Sequence, residues 1–303
     1  MKILITGAGG MLGTDLAARL ASEHELTGAG RKPAPHLNIP FYTGDLAKFQ
    51  TTRDLVQSAL PEVILHAAAM TDVDGCETRR LEALRNNFDA TRNVVNAGNR
   101  ANALIIFFST DFVFDGTKPG PYEESDIPHP LSVYGETKLL AERYLLLKGR
   151  RFLILRTSWL FGRAGNNFPK KVLKQAEAGT PFSVISDQIG NPTYTADLAE
   201  AVSRILAFLS HQQTTGTWNQ IYHAANEGAV SRYEFACAVL KKKNYSTDLV
   251  KPIASESAPP RPAARPRNSS LATEKIKGCF GIRLRPWEEA LDSYLREDVG
   301  LRV

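Results

Sequence analysis

The chain has 303 residues, 43% of them hydrophobic and 23% charged, which suffices for a full core in one large domain or two smaller ones. A net charge of +5 with no long run of like charges argues against a nucleic-acid partner, and no apolar stretch reaches the ~18 residues of a membrane span. Cys76, Cys237 and Cys279 share no C-x-x-C spacing, so neither a metal site nor a disulfide framework is expected; with a first strand starting at Lys2 and no room for a signal peptide, a cytoplasmic setting is expected.

Lys2–Thr6 (KILIT) reads as a short buried strand, and Gly7, Gly10 and Gly13 follow as G-x-x-G-x-x-G before an amphipathic helix to about Ala21. Glycines allow a tight turn and close backbone approach, and a helix that starts there offers unpaired N–H groups and its positive dipole end to a pyrophosphate. Glu25–Gly30 reads as the second strand, whose end would lie beside an adenine ribose. No Asp or Glu stands there to hold ribose hydroxyls; Arg31 and Lys32 do, which favours NADPH over NADH unless both are solvated loop cations. Phe41–Thr43 leads to Asp45-Leu46, where the carboxylate suits either the adenine amino group or a helix cap. Residues 62–66 form another buried strand, running into Ala67-Ala68-Ala69-Met70-Thr71, where small side chains would let a flat cofactor approach or serve as plain packing. Residues 79–100 read as one long helix whose Asn86 and Asn87 turn inward to brace strand ends.

The stretch 107–138 concentrates the chemistry. An apolar run, 103–108, ends in Ser109-Thr110-Asp111, and residues 131–147 read as a helix carrying Tyr134 and Lys138. Positions i and i+4 share a helix face, so phenol and ammonium would project together. A cation within ~4 to 6 Å favours ionisation of a phenol whose ordinary pKa is about 10, which would make Tyr134 a proton donor or acceptor with Lys138 tuning it. Thr110, at a strand's carboxyl end, would hydrogen-bond the same reacting oxygen. Further on come a strand at 152–156, Trp159, a helix at 167–178, a strand at Phe182–Ile185 and a polar loop at 187–193. A helix at 195–209, a late strand at 221–225, a capping box at Ser231 and Glu234, a proline-rich loop at 252–266 and a last helix at 287–295 complete the chain.

Strand and helix alternate over roughly the first 160 residues, which predicts an α/β chain: a Rossmann-like doubly wound parallel sheet with a smaller α/β substrate-binding domain. The division expected is a nucleotide-binding domain of residues 1–158, rejoined by about 186–225, and a smaller domain of 159–185 and 226–303. The glycine turn, Ala69, Thr110 and Trp159 all fall at carboxyl ends of strands, where ligands bind in such sheets.

With these residues in view the chain resembles the extended short-chain dehydrogenase/reductases and, within them, the dTDP-4-dehydrorhamnose reductase family. The resemblance rests on the glycine turn, Asp45-Leu46, Asn87 and Tyr134 with Lys138. More specific are STDFVFDG at 109–116, YEESDIPHPLSVYGETK at 122–138, LRTSW at 155–159, DQIGNPT at 187–193 and ARP-x-NS-x-L at 264–271. It implies reduction of the 4-keto group of dTDP-4-dehydro-L-rhamnose by NADPH, with NADH as the other possible donor. Gly10, Met11, Leu12, Asp45, Leu46, Ala69, Met70 and Thr71 are implied cofactor contacts, Gly7, Gly13, Arg31, Asn87 and Tyr134 are expected beside them, and Lys138 would bond the nicotinamide ribose. Thr110, Asp111 and Trp159 are implied substrate contacts, with Trp159 offering a flat face to a sugar or serving as core. Arg265 and Arg267 would meet the diphosphate or thymine end, or stand as solvated charges. Phe112 stands where the family has Tyr, and Met70 where it has an aromatic residue or His. Some members dimerise around a magnesium ion; no Mg²⁺ ligands are identifiable here, and monomer and homodimer both stay open. Two other functions share the pattern: a non-catalytic regulatory subunit like the β subunit of methionine adenosyltransferase, and a reductase or epimerase of another nucleotide sugar.

Overall fold

The computed structural model describes residues 1–211 and 217–297; the last six residues of the expected smaller domain, 298–303, lie outside the described residues. Six strands follow the chain into one parallel sheet: β1 (Lys2–Thr6), β2 (Glu25–Gly30), β3 (Phe41–Thr43), β4 (Val63–His66), β5 (Leu104–Thr110) and β6 (Phe152–Thr157). Four shorter strands come next, β7 (Leu160–Phe161), β8 (Phe182–Ile185), β9 (Ile189–Gly190) and β10 (Thr193–Tyr194), and then β11 (Gln220–His223) returns to the edge of the main sheet. Its order is β11-β6-β5-β4-β1-β2-β3, every neighbour parallel. The strand order therefore reverses between β1 and β4, the switch point at which doubly wound sheets bind ligands.

Strands covered on both faces are nearly continuous apolar runs, and β4, β5 and β6 are buried at every position, with polar residues gathered toward their carboxyl ends. Helices α1 (Met11–Leu20) and α2 (Phe49–Ala59) cover opposite faces. Between β4 and β5 the expected single helix is broken into α3 (Val73–Thr78), α4 (Arg80–Leu84), a π-helical turn at Arg85–Asp89 and α5 (Ala90–Arg100). The π turn inserts Asn87 toward the sheet, where its amide accepts from Met70 N (2.7 Å) and donates to Met70 O (3.2 Å) and to Thr137 Oγ1 (3.0 Å). These bonds offset the wider turn; Asn86, expected to turn inward with Asn87, instead faces the cleft beside Arg31.

Helix α6 (Val133–Lys148) packs with α5 and α2 in one cluster; α7 (Phe168–Glu177) precedes β8, and α8 (Thr195–His211) lies with α1 on the other face. The segment expected to rejoin the main sheet does so only from α8 onward: β9 pairs with β12 (Val230–Ser231), and β10 with β7. Helix α9 (Arg232–Lys242) opens with the predicted capping box, and β13 (Val250–Ile253) pairs with β8. Helices α10 (Glu274–Phe280), not foreseen, and α11 (Trp287–Glu297) end the described chain. Phe161, Tyr194, Phe235, Trp287 and Tyr294 centre a separate apolar cluster around α7, α9 and α11.

Candidate active site

A cleft of about 920 Å³ opens at the carboxyl ends of the strands, at the upper end of the usual range for a ligand site. Its first wall is backbone. Gly7 has φ +71, and a Cβ there would stand 2.7 Å from Ala68 N, so only glycine lets the end of β1 cross the end of β4. A Cβ on Gly13 would meet Gly7 O at 2.2 Å, which is why α1 can start directly on the turn. Gly10 is the N-cap of α1 with no side-chain cap, leaving the first amides of the helix to a ligand. Met11, Leu12, Leu46, Ala69 and Thr71 also line this wall.

Arg31 stands at the end of β2 with its side chain 58% exposed, Nη1 3.4 Å from Asn86 Oδ1 and 4.0 Å from a Glu82 carboxylate oxygen. Asp45 lines the cleft, but its carboxylate accepts from Ala47 N (3.0 Å) and lies 3.4 Å from Arg85, as a turn cap does. Two expected contacts are corrected. Met70 is buried in a cluster with Cys76, Ala83 and Val133, and Asn87 spends its amide on Met70 and Thr137; neither lines the cleft.

Thr110, Tyr134 and Lys138 meet at the centre. Helix α6 begins at Ser132, whose hydroxyl accepts from Gly135 N, while Glu77 receives the N–H of Val133 at 2.7 Å. A Cβ on Gly135 would lie 2.2 Å from Phe112 O, so the glycine lets the first turn of α6 close on the end of β5. That contact sets Tyr134 and Thr110 on the same cleft, with Thr110 among the groups acting on the phenol. The tuning of Tyr134 differs from expectation. Burial, the largest influence, pushes its phenol above the ordinary tyrosine range, Thr110 opposes this, and Lys138 is not among the groups acting on it. Lys138 Nζ instead donates to Phe108 O (2.6 Å) and sits 4.0 Å from the centroid of Phe107, because its buried ammonium takes the nearest carbonyl and ring face. Burial lowers Lys138 to about 7, with Glu142 pulling the other way.

The far wall is made of side chains. Thr110 Oγ1 donates to Asp111 Oδ1 (3.0 Å), and Asp111 Oδ2 accepts from Ser158 (3.1 Å) and Ser269 (2.6 Å). Burial raises Asp111 and these hydroxyls oppose it; the carboxylate ties three segments together. Arg265 lines the cleft with its guanidinium clamped on Asp74 at 3.0 and 2.7 Å, and Arg267 pairs with Glu256. Trp159 lines the cleft with φ +46, and Arg232 Cζ lies 3.4 Å from its ring centroid, over one face of the indole. Arg232, which sequence reasoning saw only inside a capping box, is the residue it missed. Nothing in local spacing links it to Trp159; an arginine at the first position of a capped helix, where a positive charge opposes the dipole, was the one available signal.

A β3-β2-β1-β4-β5-β6 sheet with a glycine turn at its switch point and a Tyr/Lys pair on the following helix defines an extended short-chain dehydrogenase/reductase. Residues 1–299 match the family described as RmlD substrate binding domain. The chain is 39% identical to the dTDP-4-dehydrorhamnose reductase of Aggregatibacter actinomycetemcomitans, covering 96% of this chain and 97% of that one. It is 36% identical to a spore coat polysaccharide biosynthesis protein of Bacillus subtilis, covering 98% and 97%. A crystal structure of dTDP-4-dehydrorhamnose reductase from Bacillus anthracis in complex with NADP superposes with a TM-score of 0.85 at 32% identity, covering 97% and 98%. The chain belongs to the dTDP-4-dehydrorhamnose reductase family. Among the described residues, no group of three or more His, Cys, Asp or Glu is placed to hold a metal ion, and no helix is long and apolar enough to cross a membrane.

Proposed function

We propose that this protein reduces the 4-keto group of dTDP-4-dehydro-L-rhamnose to dTDP-L-rhamnose with NADPH as the donor. The observation that carries the reading is that Tyr134 and Thr110 line one strand-end cleft whose other wall is a glycine turn shaped for a pyrophosphate. That wall fits the cofactor: Gly10 to Gly13 would hold the pyrophosphate, Arg31 a 2′-phosphate and Lys138 the nicotinamide ribose. Bound there, NADPH supplies the hydride.

The chain's own groups do the rest. Thr110, whose one hydroxyl proton is held by Asp111 in the free protein, turns that proton to the carbonyl and donates to it as negative charge grows on oxygen. Tyr134, whose phenol burial keeps protonated at neutral pH, gives its proton to that oxygen, so the ketone leaves as an alcohol. Lys138, with one proton on Phe108 O, keeps its other donors for the cofactor's ribose. Asp111 holds Thr110 in place.

The test is NADPH oxidation by the purified protein with dTDP-4-dehydro-L-rhamnose, beside UDP- and GDP-linked 4-keto sugars, with the product's configuration read by NMR. Stoichiometric turnover of the dTDP sugar alone is expected. Turnover only of a UDP or GDP sugar would overturn the substrate, and NADPH binding without turnover of any sugar would overturn the enzymatic reading.

A further inference from the structure

Three arginines line the far side of the cleft, and they differ in what holds them. Arg265 is neutralised by Asp74 through two hydrogen bonds, and Arg261 is exposed. The Arg232 guanidinium is half-buried, yet it makes no hydrogen bond and no ion pair with any described residue; its contacts are the ring faces of Trp159 (3.4 Å) and Phe168 (5.3 Å). The nearby Asp111 carboxylate, already satisfied by Thr110, Ser158 and Ser269, does not pair with it. Withdrawing an ionised group from water without a partner is costly, and burial, with Arg265 and Arg261 adding to it, depresses Arg232 to about 9.

The platform beneath Arg232 is held under strain of its own. A tryptophan at φ +46 occupies the left-handed region that bulky residues avoid. A Cβ on Gly190 would stand 2.5 Å from the same indole, so glycine there lets the ring settle where it does. A guanidinium stacked by its face keeps its in-plane N–H groups free for a planar pair of oxygens, the geometry of phosphate recognition. Neutral sugar hydroxyls would not offset the buried charge. Arg261 and Lys171 line the same cleft, and Asp111 is the one carboxylate lining its far wall among the described residues.

We propose that Arg232, laid flat on Trp159, receives the diphosphate of the nucleotide sugar. The inference rests on the nucleotide-sugar reading above and assigns the anionic part of that substrate to one residue.

Calorimetric titration of the full chain, saturated with NADP⁺, with dTDP and with thymidine tests it directly. Arg232→Gln should weaken dTDP about 10- to 150-fold, the span expected for a hydrogen bond to a charged group, and leave thymidine within about threefold. Arg232→Lys, which keeps the charge and loses the planar fork, should fall between, and decides the matter if the glutamine variant does not fold. With the keto sugar, KM should rise in proportion while kcat stays within a few-fold. Undiminished dTDP affinity in both variants, an equal loss for thymidine, or a fall in kcat at constant KM would each overturn the proposal. Failure of the functional reading looks different: the wild type would then bind dTDP through Arg232 and still leave NADPH unoxidised with the dTDP keto sugar.

Discussion

The two walls of the cleft are built by different means. The cofactor-facing wall is a contiguous stretch of backbone, Gly7 to Gly13, in which absent side chains create the shape. The far wall is assembled from side chains distant in sequence: Asp111 meets Ser158 across 47 positions and Ser269 across 158, and Asp74 meets Arg265 across 191. Backbone walls tolerate change in whatever faces them but not in themselves. Walls of side chains can change one ligand contact at a time, which suits the part of a site that selects a substrate.

The largest test of this contrast lies where the walls meet. Tyr134→Phe removes the proton donor and keeps the ring packed edge-on against Phe112 at 5.8 Å, so kcat should fall by roughly 10²- to 10⁴-fold. NADPH affinity, set by the backbone wall, should not change when followed by fluorescence titration. A variant with full turnover would remove Tyr134 from the mechanism.

Next in size is cofactor choice. Arg31 acts at the first wall through its side chain, and it stands where no Asp or Glu ends β2. NADPH should be preferred over NADH by about one to two orders of magnitude in kcat/KM, from ~1.5 to 3 kcal/mol for a charge-assisted hydrogen bond. Arg31→Ala should erase most of that preference through the NADPH KM. Because the side chain is 58% exposed and Glu82 lies 4.0 Å away, salt should shrink the ratio. Equal ratios in wild type and variant would make Arg31 a bystander.

What the sequence discloses follows the same division. The parallel sheet was legible because strands buried on both faces are nearly continuous apolar runs, and the glycine turn because its geometry is local. Tyr134 and Lys138 were legible as an i, i+4 pair, yet their spacing could not show that Lys138 turns to Phe108 O, which depends on where β5 packs. The long helix expected at 79–100 failed because helical periodicity does not register the π turn that carries Asn87 inward. Arg265 was singled out, but Asp74, its partner, could be found only by folding. Arg232 and Trp159 share no local pattern at all.

A smaller effect should appear in the pH profile. Burial lowers Lys138 to about 7, so its ammonium is present below that pH and is lost as pH rises through it. If that charge supports proton donation by Tyr134, kcat at saturating NADPH should decline above about pH 7, approaching tenfold per unit. Lys138→Arg, charged at every accessible pH, should be slower but flat between about pH 6 and 9. A flat wild-type profile would separate Lys138 from the proton transfer.

The smallest expected effect is on the paired arginine of the far wall. Arg265 has both ends of its guanidinium on Asp74, with side chains 15% and 37% exposed, so its charge is already answered within the protein. Arg265→Gln should cost about 1 kcal/mol of stability, the upper part of the range for partly exposed pairs, which is a few degrees or less in Tm for a chain of this size. Its effect on the KM for the keto sugar should stay within about threefold. Asp74→Asn separates pairing from ligand binding, because it frees the guanidinium without removing it: Arg265 then resembles Arg232, and dTDP should bind slightly more tightly. Should Arg265→Gln instead raise the KM tenfold or more, an internally paired guanidinium would be contacting substrate as strongly as an unpaired one, and the distinction drawn between the two arginines would fail.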